Sequence, residues 1–223
     1  MILKKSIKEF TKEDFESIKN INIDLKSDLD QDKQLSIEDL TKLLPNLSNI
    51  TINNAFINNK MINKFEKLNI EALELKNCGI ELETTLKDLD KLQELKINNC
   101  DMLNFDILKD LNKGLKKLMI TNPMDENSID LDIIKDYIEL EELIIEECKI
   151  KNTNSLSNLR NLKSLSFLNS DIDDIDNIRV VSDIEKLDEI FIPAKYKNEN
   201  AVKELNKNIY YNLTHLVYEE KER

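Results

Sequence analysis

Apolar residues along the chain fall into one recurring spacing. It is written most fully in Leu47-x-x-Ile50-x-Ile52-x-x-Ala55-x-Ile57, and again in Ile70-x-x-Leu73-x-Leu75-x-x-Cys78-x-Ile80. Leu92-x-x-Leu95-x-Ile97-x-x-Cys100-x-Met102, Leu140-x-x-Leu143-x-Ile145-x-x-Cys148-x-Ile150 and Leu162-x-x-Leu165-x-Phe167-x-x-Ser170-x-Ile172 repeat it. Leu115-x-x-Leu118-x-Ile120-x-x-Pro123 is a sixth copy, with Asp125 at its last apolar position. Weaker copies flank these at Ile18-x-x-Ile21-x-Ile23, Leu187-x-x-Ile190-x-Ile192 and Leu213-x-x-Leu216-x-Tyr218. The fourth position of the pattern recurs at intervals of 29, 23, 22, 23, 25, 22, 25 and 26 residues.

The spacing carries its own structural meaning. Two apolar residues on alternate positions of a short strand point to one side, and the residue between them points to the other. One such strand cannot bury its apolar face alone, but parallel copies stacked about 4.8 Å apart share a continuous core. Between strands, apolar residues come every third position, as in Leu86, Leu89, Leu92 and Leu95. That interval predicts short 3₁₀ or α turns on the return path.

With six good copies of an eleven-residue pattern, the chain resembles leucine-rich repeat proteins over nearly its whole length. The stretch from Leu159 to Ile175 is most similar to the short type of about 22 residues, found in internalins and intracellular phosphatase regulators. The resemblance implies an α/β repeat solenoid, a right-handed horseshoe of about nine rungs with a parallel concave sheet and helical or 3₁₀ segments outside. It implies a fold and no particular chemistry.

The chain reads as one domain over 1–223, with a helical cap at 1–20, repeats at 21–192, and a C-terminal cap with the final strand at 193–223. Thr11 is placed to cap a first helix with Phe15 and Ile18 on one face. Val202 and Leu205 suggest a helix before the last strand. The charged tail EEKER follows.

Composition narrows the function classes. The 223 residues carry 44 acidic and 32 basic side chains, a net charge of −12. With that balance and no basic tract, neither nucleic acid nor an anionic membrane is expected as a partner. Apolar runs stay far below the roughly 20 residues that span a bilayer. The start, MILKKSIKEFTKEDF, is charged where a signal peptide would be apolar, so a cytoplasmic location is expected, and the chain is expected to be a monomer. Two glycines leave little for a phosphate-binding loop, and neither Gly-x-Gly-x-x-Gly nor Gly-Lys-Ser/Thr occurs. His215, the one histidine, falls on the exposed side of the last expected strand, too isolated for a triad or a His-rich metal site. No enzymatic constellation emerges: catalytic residues and cofactors are expected to be none.

Cys78, Cys100 and Cys148 share one repeat position, where the family most often has Asn. Each is expected to turn inward as a small buried hydrophobe with a weak donor. Cys78 and Cys100 fall on adjacent rungs, but parallel side-chain vectors argue against a disulfide. Metal-ligand spacing of the Cys-x-x-Cys kind is absent.

Residues 28–39 resemble a twelve-residue EF-hand loop. Asp28, Asp30 and Asp32 occupy positions 1, 3 and 5, Ser36 position 9 and Asp39 position 12. Lys33 stands where the turn wants Gly, and Asp39 is shorter than the usual Glu. The rival reading is a solvated acidic loop running into a helix capped by Ser36 and ended near Pro45.

Outward strand positions complete the picture. In the first half they are polar and amide-rich: Asn22, Thr51, Glu74 and Lys96. In the second half Met119, Ile144, Leu168, Phe191 and Val217 suggest an apolar patch, with Glu142, Glu146 and Glu189 beside it. Exposed apolar surface inside a charged rim marks a protein contact site. The alternative is that the capping segment covers some of these side chains. The sequence therefore leads to a non-catalytic scaffold binding a protein partner on its concave face. The second reading is a recognition or adhesion module modulated by a divalent metal in the 28–39 loop.

Overall fold

A computed structural model describes residues 10–25, 42–123, 128–205 and 207–211. Packing divides the chain into two compact units, Met1–Asn112 and Lys113–Arg223.

In the first unit, a five-residue helix α1 (Lys12–Glu16) opens the described chain. The Thr11 hydroxyl accepts from the Asp14 N–H at 3.2 Å, and the Asp14 carboxylate accepts from the Thr11 N–H at 2.9 Å. This reciprocal capping box satisfies two of the donors a helix start leaves open. The strands that follow are β1 (Asn20–Asp24), β2 (Asn49–Asn53), β3 (Phe56–Ile57), β4 (Ala72–Lys76), β5 (Gly79–Ile80), β6 (Glu94–Asn98) and β7 (Asp101–Met102). Strands β1, β2, β4 and β6 pair in parallel, each in register with the last: Ile50 opposite Leu73, and Leu73 opposite Leu95. The short β3, β5 and β7 form a second parallel ladder. Return paths are short turns of helix, α2 (Asn59–Ile62) and 3₁₀ segments at Asn63–Phe65 and Asp106–Leu108.

The second unit repeats the plan with β8 (Lys117–Thr121), β9 (Ser128–Asp130), β10 (Glu142–Glu146), β11 (Lys149–Lys151), β12 (Ser164–Ser166), β13 (Asp171–Ile172), β14 (Glu189–Ile192) and β15 (Asn208–Tyr211). Here β8, β10, β12, β14 and β15 are parallel neighbours in chain order, and β9, β11 and β13 make the outer ladder. Connections include 3₁₀ segments at Leu131–Ile134 and Thr153–Asn158, and a last helix α3 (Asn200–Lys203) whose Val202 is buried. The parallel strands with short helical returns expected from the spacing are therefore present in both units.

Apolar alternation sets the core. Ile50, Leu73, Leu95, Leu118, Leu143, Leu165 and Ile190 are buried, as are their partners two residues on. Each such side chain removed from water contributes about 1.5–3 kcal/mol. Where strand turns into loop, a left-handed residue bends the chain: Asn54, Asn77, Asn99, Asn122 and Asn169 all have φ between 48° and 57°. Asparagine tolerates this region better than most residues, which is why it recurs there. Glu147 occupies the same place in its rung at φ 59°.

Two details differ from the sequence reading. The last apolar position of the sixth copy is displaced, not lost. Ile129, nine residues after Ile120 where other copies need five, is fully buried in β9. The strand after β14 is also earlier than the Leu213–Tyr218 copy implies: Asn208–Tyr211 pairs with it, with Ile209 opposite Ile190. The Leu213–Tyr218 segment, His215 and Val217 lie outside the described residues. So does the whole 28–39 loop, with Asp28, Asp30, Asp32 and Asp39.

Candidate functional site: the open face of the second unit

Strand register brings part of the expected patch into one row. Met119 lies opposite Ile144, Ile144 opposite Ser166, Ser166 opposite Phe191, and Phe191 opposite Tyr210. Met119, Ile144 and Phe191 are half-buried; Ser166 is buried, and Tyr210 is 45% exposed. The Phe191 and Tyr210 rings stack, with centroids 4.9 Å apart and planes 20° from parallel. Leu168 is not in this row. Strand β12 stops at Ser166, and Leu168 sits in the following turn, where its carbonyl accepts from the Glu147 N–H at 3.2 Å.

Tyr210 holds the place that Val217 was expected to take. The sequence signal for it was present but faint: Ile209-x-Tyr211 repeats the alternation nineteen residues after Ile190, without the usual apolar residue three positions ahead.

Acidic side chains border the row. Glu142 pairs with Lys117 at 3.1 Å, the Glu146 carboxylate accepts from the Ser166 hydroxyl, and Glu189 is exposed on the same face as Phe191. The corresponding face of the first unit is built differently. Asn49 donates to Asn20 and Asn53 to Asn22, both at 2.5 Å, and Thr51 donates to Glu74 at 3.1 Å. Lys76 reaches Glu74 at 2.9 Å and Lys96 reaches Glu94 at 2.5 Å. A cleft of ≈ 220 Å³ lies there, but its polar groups already bond one another. A partner would have to match those bonds to gain anything.

The inward thiols are structural. Cys78, Cys100 and Cys148 are free and buried. Cys78 donates to the Lys76 carbonyl at 3.2 Å and Cys100 to that of Asn98 at 3.3 Å. Cys148 does the same to Glu146 at 3.2 Å. Burial, with Glu147 and Glu146 nearby, pushes the Cys148 thiol up to about 12. The neighbouring Cys78 thiol, together with burial, pushes Cys100 up as well.

Ser170 plays the same part with a hydroxyl. It donates to the Ile145 carbonyl at 3.1 Å and accepts from the Cys148 N–H at 3.2 Å. Ser170→Ala is expected to leave that buried N–H without its acceptor and to cost about 1–3 kcal/mol, read as a shift in the urea midpoint. An unchanged midpoint would contradict this role.

No group of three or more His, Cys, Asp or Glu able to hold a metal occurs among the described residues. No helix among them is long and apolar enough to cross a membrane.

Solved structures match this arrangement of strands and returns. Internalin C2 from Listeria monocytogenes is similar over 80% of this chain and 82% of its own, at 19% identity and a TM-score of 0.52. A leucine-rich repeat protein from Leptospira interrogans is similar over 90% of this chain and 51% of its own, at 16% identity and a TM-score of 0.56. The fold is a leucine-rich repeat fold. No family model matches the chain, and no curated protein does by sequence. In this leucine-rich repeat, the residues between the core positions form the sheet's open face, and the row from Met119 to Tyr210 lies on it.

Proposed function

We propose that the chain is a non-catalytic scaffold that binds a protein partner on the open face of its second unit. The in-register row of Met119, Ile144, Phe191 and Tyr210 carries the reading. These side chains stand outside the buried core, Met119, Ile144 and Phe191 half-buried and Tyr210 exposed, so part of their apolar surface is open to a partner. An apolar centre with a charged border is also how protein interfaces are organised. The leucine-rich repeat fold supports the reading, because stacked rungs display one continuous surface of side chains.

The test is capture of the native partner by the parent chain and by an Ile144→Asp/Phe191→Asp variant. The variant is expected to lose capture at least tenfold while its melting temperature stays within a few degrees. Full capture by a folded variant would contradict the assignment. Unfolding of the variant would show instead that these side chains are packing residues.

A further inference from the structure

The open face has a period as well as a polarity, and together they select a partner. The row advances one strand at a time, about 4.8 Å per step. From Met119 to Tyr210 there are four steps, roughly 19 Å. An α-helix laid along the row brings a side chain round to the same face about every 5.4 Å, close to one per strand. An extended segment brings one round only every ~6.7 Å, and loses step after the second strand. A helix covering the row needs about 13 residues at 1.5 Å each.

Charge decides what flanks its stripe. Glu142 and Glu189 stand on one border of the row and Glu146 on the other, while Lys117, the cation at these positions, is engaged by Glu142. The chain itself carries −12. The stacked rings of Phe191 and Tyr210 give a flat platform beside Glu189, a setting in which a guanidinium gains from ring and carboxylate together. Ser166, small, buried and bonded to the Glu146 carboxylate, puts one polar step in the middle of the row, between Ile144 and Phe191.

We infer that the partner contacts this face through an amphipathic helix with an apolar stripe bordered by Lys and Arg. The inference rests on the proposed open-face function and adds the chemistry of what binds there.

Fluorescence polarisation with three labelled helical peptides of about 14 residues tests it. One carries a Leu stripe with Lys/Arg flanks, one the same stripe with Glu flanks, and one the basic composition with the stripe scrambled. The basic amphipathic peptide is expected to bind at least tenfold more tightly than the other two and to weaken as salt rises. Glu142→Lys combined with Glu189→Lys should reverse the preference between basic and acidic flanks, and Ile144→Asp should abolish binding. Equal binding of basic and acidic peptides, or of the scrambled one, would overturn the helix assignment. So would no binding by any peptide at millimolar concentration, or binding that survives Ile144→Asp. None of these results alters the partner-capture outcome, which reads the open-face function separately.

Discussion

Leu143→Asp unfolds the second unit, whereas Ile144→Asp, one residue along the same strand, leaves it folded. Leu143 is fully buried between neighbouring rungs, opposite Leu118 on one side and Leu165 on the other. Truncating such a side chain even to Ala costs about 2–5 kcal/mol. A carboxylate adds the penalty of an unpaired buried charge. Against a typical total of about 5–15 kcal/mol, that combination removes the folded state. Ile144 points to the other face. There the loss is partial contact area, strand preference and mild repulsion from Glu142 and Glu146, together about 1 kcal/mol. Thermal melts followed by circular dichroism separate the two variants. Two unfolded variants would make Ile144 a core residue; two folded ones would refute the alternation.

The second large effect concerns the thiols. Alkylation of Cys78, Cys100 and Cys148 in the native protein is expected to run on the order of a thousandfold slower than in urea. That is the population of an opening that costs about 4 kcal/mol. Cys148 also holds its proton up to about 12, while the unfolded chain releases it near the ordinary thiol value. The folded-state value is raised, so this thiol's contribution to stability is full below about pH 8.5. It drains away as pH climbs through that value towards 12. Native labelling of all three within seconds at pH 8 would contradict their inward placement.

Much of the fold was legible because its core is written in side chains that have few substitutes. Leu95 and Ile97, or Leu143 and Ile145, state both the strand and its buried face, since parity along a strand fixes which side each residue faces. Less was legible where the chain departs from a constant interval. The insertion between Pro123 and Ser128 moved the outer apolar residue to Ile129, and fixed spacing pointed to Asp125 instead. The shorter step to β15 moved the neighbour of Phe191 to Tyr210. Leu168 follows the alternation in sequence, but β12 is only three residues long, so the face it was assigned had already ended. The outward strand positions were thus readable at Met119, Ile144 and Phe191, where strands are regular, and differed at Leu168 and at the neighbour of Phe191. Hydrogen bonds such as that between Ser166 and Glu146 depend on which residues register sets side by side, and no local pattern encodes them.

Hydroxyl-radical footprinting of the free protein tests the central assignment most directly, with each residue normalised to its rate in the unfolded chain. Met119, Phe191 and Tyr210 should be oxidised many times faster than the buried Phe167 and Tyr137. A partner held on the open face should then protect those three alone. Met119 and Phe191 as protected in the free protein as Phe167 would mean that the row is already covered, and the account of a vacant binding face would fail.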